Sequence, residues 1–202
     1  MRSDLHMARK LWHIITVSIV SYLYAVLDRK MSLQILSVAM FFFVGLDLMR
    51  LKSEFLNRFA VKIFGTVMRR NEINSPAGTT YLLSGVFICV LLFPHDVVLL
   101  TLIFLAIADP VASYFGIRWG KDKIINNKSL QGTLAAFVVC TIISYIYFQK
   151  KGLLLDRILL ASLISGIIGA LSELLPIRKM DDNLTFPILC SLALRTMFNV
   201  FS

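Results

Sequence analysis

Acidic residues are scarce in this chain: 12 Asp and Glu stand against 21 Lys and Arg, and charged residues of both signs make up only 16% of its 202 positions. So little charge, beside 57% hydrophobic residues and a mean hydropathy of +0.77, excludes a soluble domain. Cysteine is equally thin. Cys89, Cys140 and Cys190 lie inside apolar runs without metal-ligand spacing, which argues against a metal module and leaves them as buried apolar side chains. No small-residue cleavage site closes the first apolar run, so that run is expected to be retained as a span.

What the chain does have is long hydrophobic runs. Seven are expected to cross a membrane, roughly Leu11–Leu27, Met31–Met49, Thr79–Phe93, Val97–Phe115, Leu130–Phe148, Leu153–Leu175 and Leu184–Phe201. Several fall short of the ~20 residues that a spanning helix needs, so tilts or breaks are expected. The reading is one integral membrane domain over residues 1–202, an all-α bundle of about seven transmembrane helices. Lys and Arg gather in 2–10, 50–70, 118–128 and 178–179, and only Arg29, Lys30, Lys150, Lys151 and Arg157 fall on the other side. That bias places the amino terminus inside, as in a bacterial inner-membrane protein. The net charge of +9 then reflects topology and anionic lipid rather than nucleic acid.

The most informative stretch is ADPVASYFGIRWGKDKIINNKSLQG, Ala108 to Gly132. Asp109 ends an apolar run where an ionised carboxylate needs a partner. Ala112, Ser113, Gly116 and Gly120 follow at helical spacing and give the acid a face of small residues. Pro110 disfavours helical geometry at Asp109, which predicts a broken helix with Asp109 as an N-cap. The loop beyond carries Arg118, Lys121, Lys123 and Lys128 with Asn126 and Asn127, a donor set suited to polyphosphate. The plainer alternative is that the glycines only let two helices touch.

Other polar residues sit at the same membrane face. Arg9, Lys10 and Trp12 read as an interfacial anchor, with His13 one turn beyond Arg9. Asp47 and Arg50, three residues apart, can neutralise each other at a helix end. Residues 51–77 read as an amphipathic surface helix. The turn Ser75–Thr80 offers either an anion-binding helix start or a simple cap. Glu173, then Asp181, Asp182 and Asn183, form an oxygen-ligand set suited to Mg²⁺.

Together these residues resemble the CTP-dependent lipid kinase family that includes dolichol kinase, diacylglycerol kinase of the yeast type and phytol kinase, distantly similar to CDP-diacylglycerol synthases. The nucleotide motif of that family is matched by Asp109, Ala112, Gly116, Gly120, Lys121, Lys128, Ser129 and Gly132, with Gln131 where the family has Glu. The early Ala8, Arg9, Lys10, His13 and the late Glu173, Asp181, Asp182, Asn183 extend the match. The resemblance implies CTP as phosphate donor and a lipid alcohol, diacylglycerol or a polyprenol, as acceptor.

In that reading Asp109 holds Mg²⁺ with help from Asp181, Asp182 or Glu173, while Lys121 and Lys128 neutralise phosphate oxygens. Asp182, ahead of Glu173, takes the hydroxyl proton. Arg9, Lys10, His13, Asp47 and Arg50 are accessory. Two alternatives remain: a cytidylyltransferase releasing pyrophosphate, and an ion-coupled carrier, against which stands the lack of an inverted repeat.

Overall fold

The computed structural model describes residues 4–125, 128–175, 177 and 180–201, with side chains from residue 8 onward. Among these the apolar runs form eight α-helices: α1 Asp4–Val26, α2 Arg29–Lys52, α3 Glu54–Phe64, α4 Gly78–Leu92, α5 His95–Arg118, α6 Leu130–Lys151, α7 Ile158–Leu174 and α8 Asp182–Phe201. Their ends are set by local chemistry. Asp28, Ser53 and Ser129 each accept a backbone N–H from the first turn of α2, α3 and α6. Gly152, at φ +66°, closes α6 in the left-handed conformation.

The centre of the bundle is α5. Val97, Val98, Leu99, Leu100, Thr101 and Leu102 are consecutive and all buried, as a helix surrounded on every side requires. It packs on α1, α6 and α8, while α7 closes against α6 and α8. By contrast α2 lies at the rim, with Val38 and Phe41 70% and 87% exposed on a face that only lipid would cover favourably.

Five of the expected spans are helices long and apolar enough to cross a membrane: α2, α5, α6, residues 155–174 and α8. The third expected span is a shorter apolar helix, α4, with 15 residues. The buried cysteines are as expected: all three are free thiols in the interior.

Three expectations are corrected. First, α5 runs unbroken through Pro110, so Asp109 sits inside a helix and is not an N-cap. The residues around Pro110 are held by packing on both sides, and this overrides the backbone preference of an X-Pro pair. Second, the basic loop is partly a small antiparallel hairpin, β1 Lys123–Ile125 with β2 Lys128–Ser129, which adds a strand pair to an otherwise helical fold. Third, the amphipathic segment is helical only over Glu54–Phe64. Its remainder turns at Gly65 and makes a single 3-10 turn, Arg70–Ile73.

Candidate functional site

The amino-terminal ends of α1, α4, α6 and α8 and the carboxyl-terminal ends of α2, α5 and α7 enclose a cavity of about 760 Å³ at one end of the bundle. Its two halves differ in chemistry. One is ionic, with Arg9, Lys10, Asp109, Lys128, Glu173 and Asp182 on its walls. The other is apolar, built by Trp12 of α1, Phe42, Phe43 and Leu46 of α2, and Phe59, Ile63 and Phe64 of α3. Those apolar side chains are also exposed, so this half opens to the outside between α1, α2 and α3.

The ionic wall is built on the contact of α5 with the start of α6. A Cβ on Gly132 would meet the Ala112 carbonyl at 2.7 Å, and one on Gly120 would strike the Ser129 hydroxyl at 2.5 Å. The small residues therefore bring two backbones together, and that approach carries Lys128 to the cavity. Gly132→Val is expected to destabilise the protein by about 1–3 kcal/mol through overpacking, read as a lower melting temperature in detergent.

Lys128 is the electrostatic pivot. Its Nζ lies 3.2 Å from Glu173 Oε1 and 3.4 Å from Asp182 Oδ2, and it also donates to the Glu173 carbonyl. Burial pulls the Lys128 pKa down, but Glu173, Asp182 and Asp109 outweigh it and hold the ammonium above its usual value. Its charge therefore stabilises the fold at neutral pH. That contribution is complete below the unfolded value of about 10.4 and is lost as pH rises through the elevated one.

In the same cavity His13 Nε2 stands 3.8 Å from Asp109 Oδ2 and 3.4 Å from the Leu105 carbonyl. Exposure sorts the carboxylates. Asp109 and Asp182 are 37% and 47% exposed, whereas Glu173 and Asp181 are 10% and 11% exposed and already engaged by Lys128 and Arg69. Asp109 and Asp182 are thus the more exposed of these acids, although Asp182 also pairs with Lys128. Among the described residues no three His, Cys, Asp or Glu side chains form a ready-made metal cage.

Asp47 and Arg50 do pair, at 2.7 Å, and the pair is a hub rather than a simple helix end. Arg50 also donates to Asn57 Oδ1 at 2.9 Å and to the carbonyls of Glu72 and Ser75 at 3.0 Å. Asp47 Oδ2 accepts from Ala77 N–H at 2.9 Å and Thr80 Oγ1 at 2.6 Å. The start of α4 is therefore capped by a carboxylate from α2, which occupies the helix end that the Ser75–Thr80 turn offers to an anion.

Ala112, Ser113, Gly116, Ser129, Gly132 and Asn183 line the cavity together with the acids and bases already named. Gly120 and Lys121 do not, and Lys121 is exposed. Asp181 also lies off the cavity wall, with its carboxylate shared between Arg69 and the Asn183 N–H. Arg118 turns away to stack on Tyr114 and Trp119. Asn126, Asn127, Arg178 and Lys179 lie outside the described residues. Gln131 donates to Asp122 Oδ2 at 2.8 Å, a contact that a Glu at this position would turn into repulsion. Sequence reasoning missed Arg69, Glu72 and Asn57: Arg69 and Glu72 are three residues apart, but Arg69 reaches Asp181 112 positions away, and no spacing ties these residues to the cavity.

No family model and no solved structure matches the chain. Among curated proteins, the CTP-dependent diacylglycerol kinase 1 of Saccharomyces cerevisiae is 32% identical over an alignment covering 96% of this chain and 73% of that protein. The Schizosaccharomyces pombe protein of the same name is 32% identical over 70% of each. An uncharacterised Rickettsia prowazekii protein is 25% identical over 92% of this chain and 91% of its own length. With the identity and coverage of the two fungal relatives, the chain belongs to the CTP-dependent diacylglycerol kinase family.

Proposed function

We propose that this protein transfers the γ-phosphate of CTP to the hydroxyl of diacylglycerol at the cytoplasmic face of a membrane. The observation that carries the reading is the two-sided cavity: water-accessible carboxylates and a fixed ammonium on one side, an open apolar flank on the other. The names of the fungal relatives supply the nucleotide and the acceptor.

Seven crossings with the amino terminus inside suit the alternation of helix ends around the cavity and the bias of Lys and Arg. A helix of 15 residues, α4, would cross only a locally thinned part of the bilayer.

Phosphoryl transfer asks mainly for positioning and charge neutralisation. Mg²⁺ fits the donor set, because it typically takes one or two carboxylates plus phosphate oxygens, and Asp109 presents the free carboxylate for it. When bound, the metal would screen the charge that develops on the triphosphate. Lys128 would neutralise a phosphate oxygen, and its pairing with Glu173 and Asp182 keeps the ammonium in one place. The acceptor oxygen forms its bond to the γ-phosphorus, the bond from that phosphorus to the bridging oxygen breaks, and CDP leaves. Asp182 takes the hydroxyl proton, being more exposed than Glu173 and less tightly held by Lys128.

The test is product analysis with purified protein, Mg²⁺ and diacylglycerol vesicles. γ-Labelled CTP should leave label on the lipid and release CDP. Release of pyrophosphate, or label transfer from ATP in preference to CTP, would overturn the assignment. Lys128→Met is expected to lower kcat/KM by roughly 100-fold or more, measured by the same label transfer, with Lys128→Arg retaining part of the loss.

A further inference from the structure

The cavity that holds Lys128 also holds a cationic group that the motif does not contain. Arg69, in the segment between α3 and the 3-10 turn, lines the same cavity as Arg9. Its guanidinium is fixed at two edges: Nη1 donates to Asp181 Oδ2, and Nε lies 3.7 Å from Glu72 Oε1. Its backbone N–H donates to Glu72 Oε2 at 3.1 Å, which orients the same carboxylate. Asp181 is in turn fixed by the Asn183 N–H at 2.9 Å, and the Asn183 amide reaches the Gly78 carbonyl at 3.3 Å. Three segments of chain thus brace one side chain, and Nη2 is left without a bonded partner among the described residues.

Arg9 approaches from α1. The two guanidiniums repel: Arg9 has its pKa lowered first by burial and then by Arg69, against the opposing pull of Glu72, Asp109 and Asp181. Asp181 and Glu72 already neutralise one side of Arg69, and Arg9 adds a further positive charge to the lining of the same cavity. A fixed guanidinium with a free fork edge is the group that grips phosphate oxygens best.

We infer that Arg69, with Arg9, forms a phosphate-binding subsite in the same cavity as Lys128. The inference rests on the phosphotransfer reading above and adds to it a binding residue from outside the glycine-lysine stretch. The bound group is a phosphoryl group, from the nucleotide or from the phosphorylated lipid.

Steady-state kinetics and CTP-dependent thermal stabilisation of the detergent-solubilised protein test this together, on wild type, Arg69→Gln, Arg69→Lys and Asp181→Asn. Wild type must first show turnover and stabilisation by CTP; failure there strikes the proposed function itself. Arg69→Gln is expected to raise the KM for CTP at least roughly tenfold, leave the KM for diacylglycerol near wild type, and remove the stabilisation by CTP. Arg69→Lys keeps the charge but not the fork and should fall between, and it stands in should the Gln variant fail to fold.

If Arg69→Gln instead relieves inhibition by added phosphatidate without changing the KM for CTP, the subsite holds the lipid phosphate. If Arg69 is only a brace, Arg69→Gln and Asp181→Asn will lower the melting temperature alike, with unchanged KM for CTP and unchanged phosphatidate inhibition. That result overturns the inference.

Discussion

Asp109→Asn is expected to abolish label transfer from CTP, by roughly 10³-fold or more, while the protein stays folded and inserted. The substitution keeps shape and removes one negative charge from a side chain that is 37% exposed in the cavity. Among the described residues the only ion pair of that carboxylate is with His13, at 3.8 Å. The melting temperature should therefore move little. The consequence for turnover is large because the carboxylate is the one proposed to hold the metal against the triphosphate. A folded Asp109→Asn protein that still phosphorylates lipid would remove Asp109 from the mechanism.

The second large effect is on stability. Arg50→Ala is expected to cost about 3–5 kcal/mol, since it leaves Asp47 buried without its cation and strips partners from Asn57 and three carbonyls. Asp47 and Arg50 are 6% and 7% exposed, so water cannot make good the loss. The hub ties the end of α2 to α3, the 3-10 turn and the start of α4. Thermal unfolding in detergent should show it directly. A melting temperature within a degree or two of wild type would mean that the hub is not holding these segments together.

These two residues also mark how far the chain could be read unaided. The Asp47–Arg50 pair was legible because its members lie three residues apart on one helix. The face of Ala112, Ser113 and Gly116 was legible for the same reason: helical spacing put it beside Asp109. That spacing holds even though the expected break at Pro110 is absent. What could not be read was anything depending on how distant segments meet. Arg69 and Asp181 are 112 positions apart, and only the packing of α8 beside the 3-10 turn makes them neighbours. Lys121 and Lys128 looked equivalent in the sequence. A two-stranded hairpin separates them, taking Lys128 to the cavity and leaving Lys121 outside it.

The apolar flank between α1, α2 and α3 has a kinetic consequence of its own. In the proposed reaction one reactant would reach the centre from water and the other by diffusing within the plane of the membrane, through the gap beside Phe42 and Phe43. For the second reactant, molarity in the tube is then the wrong variable. Adding inert phospholipid should slow the reaction by surface dilution, whereas adding buffer that holds CTP and Mg²⁺ constant to vesicles of fixed composition should leave the rate per protein unchanged.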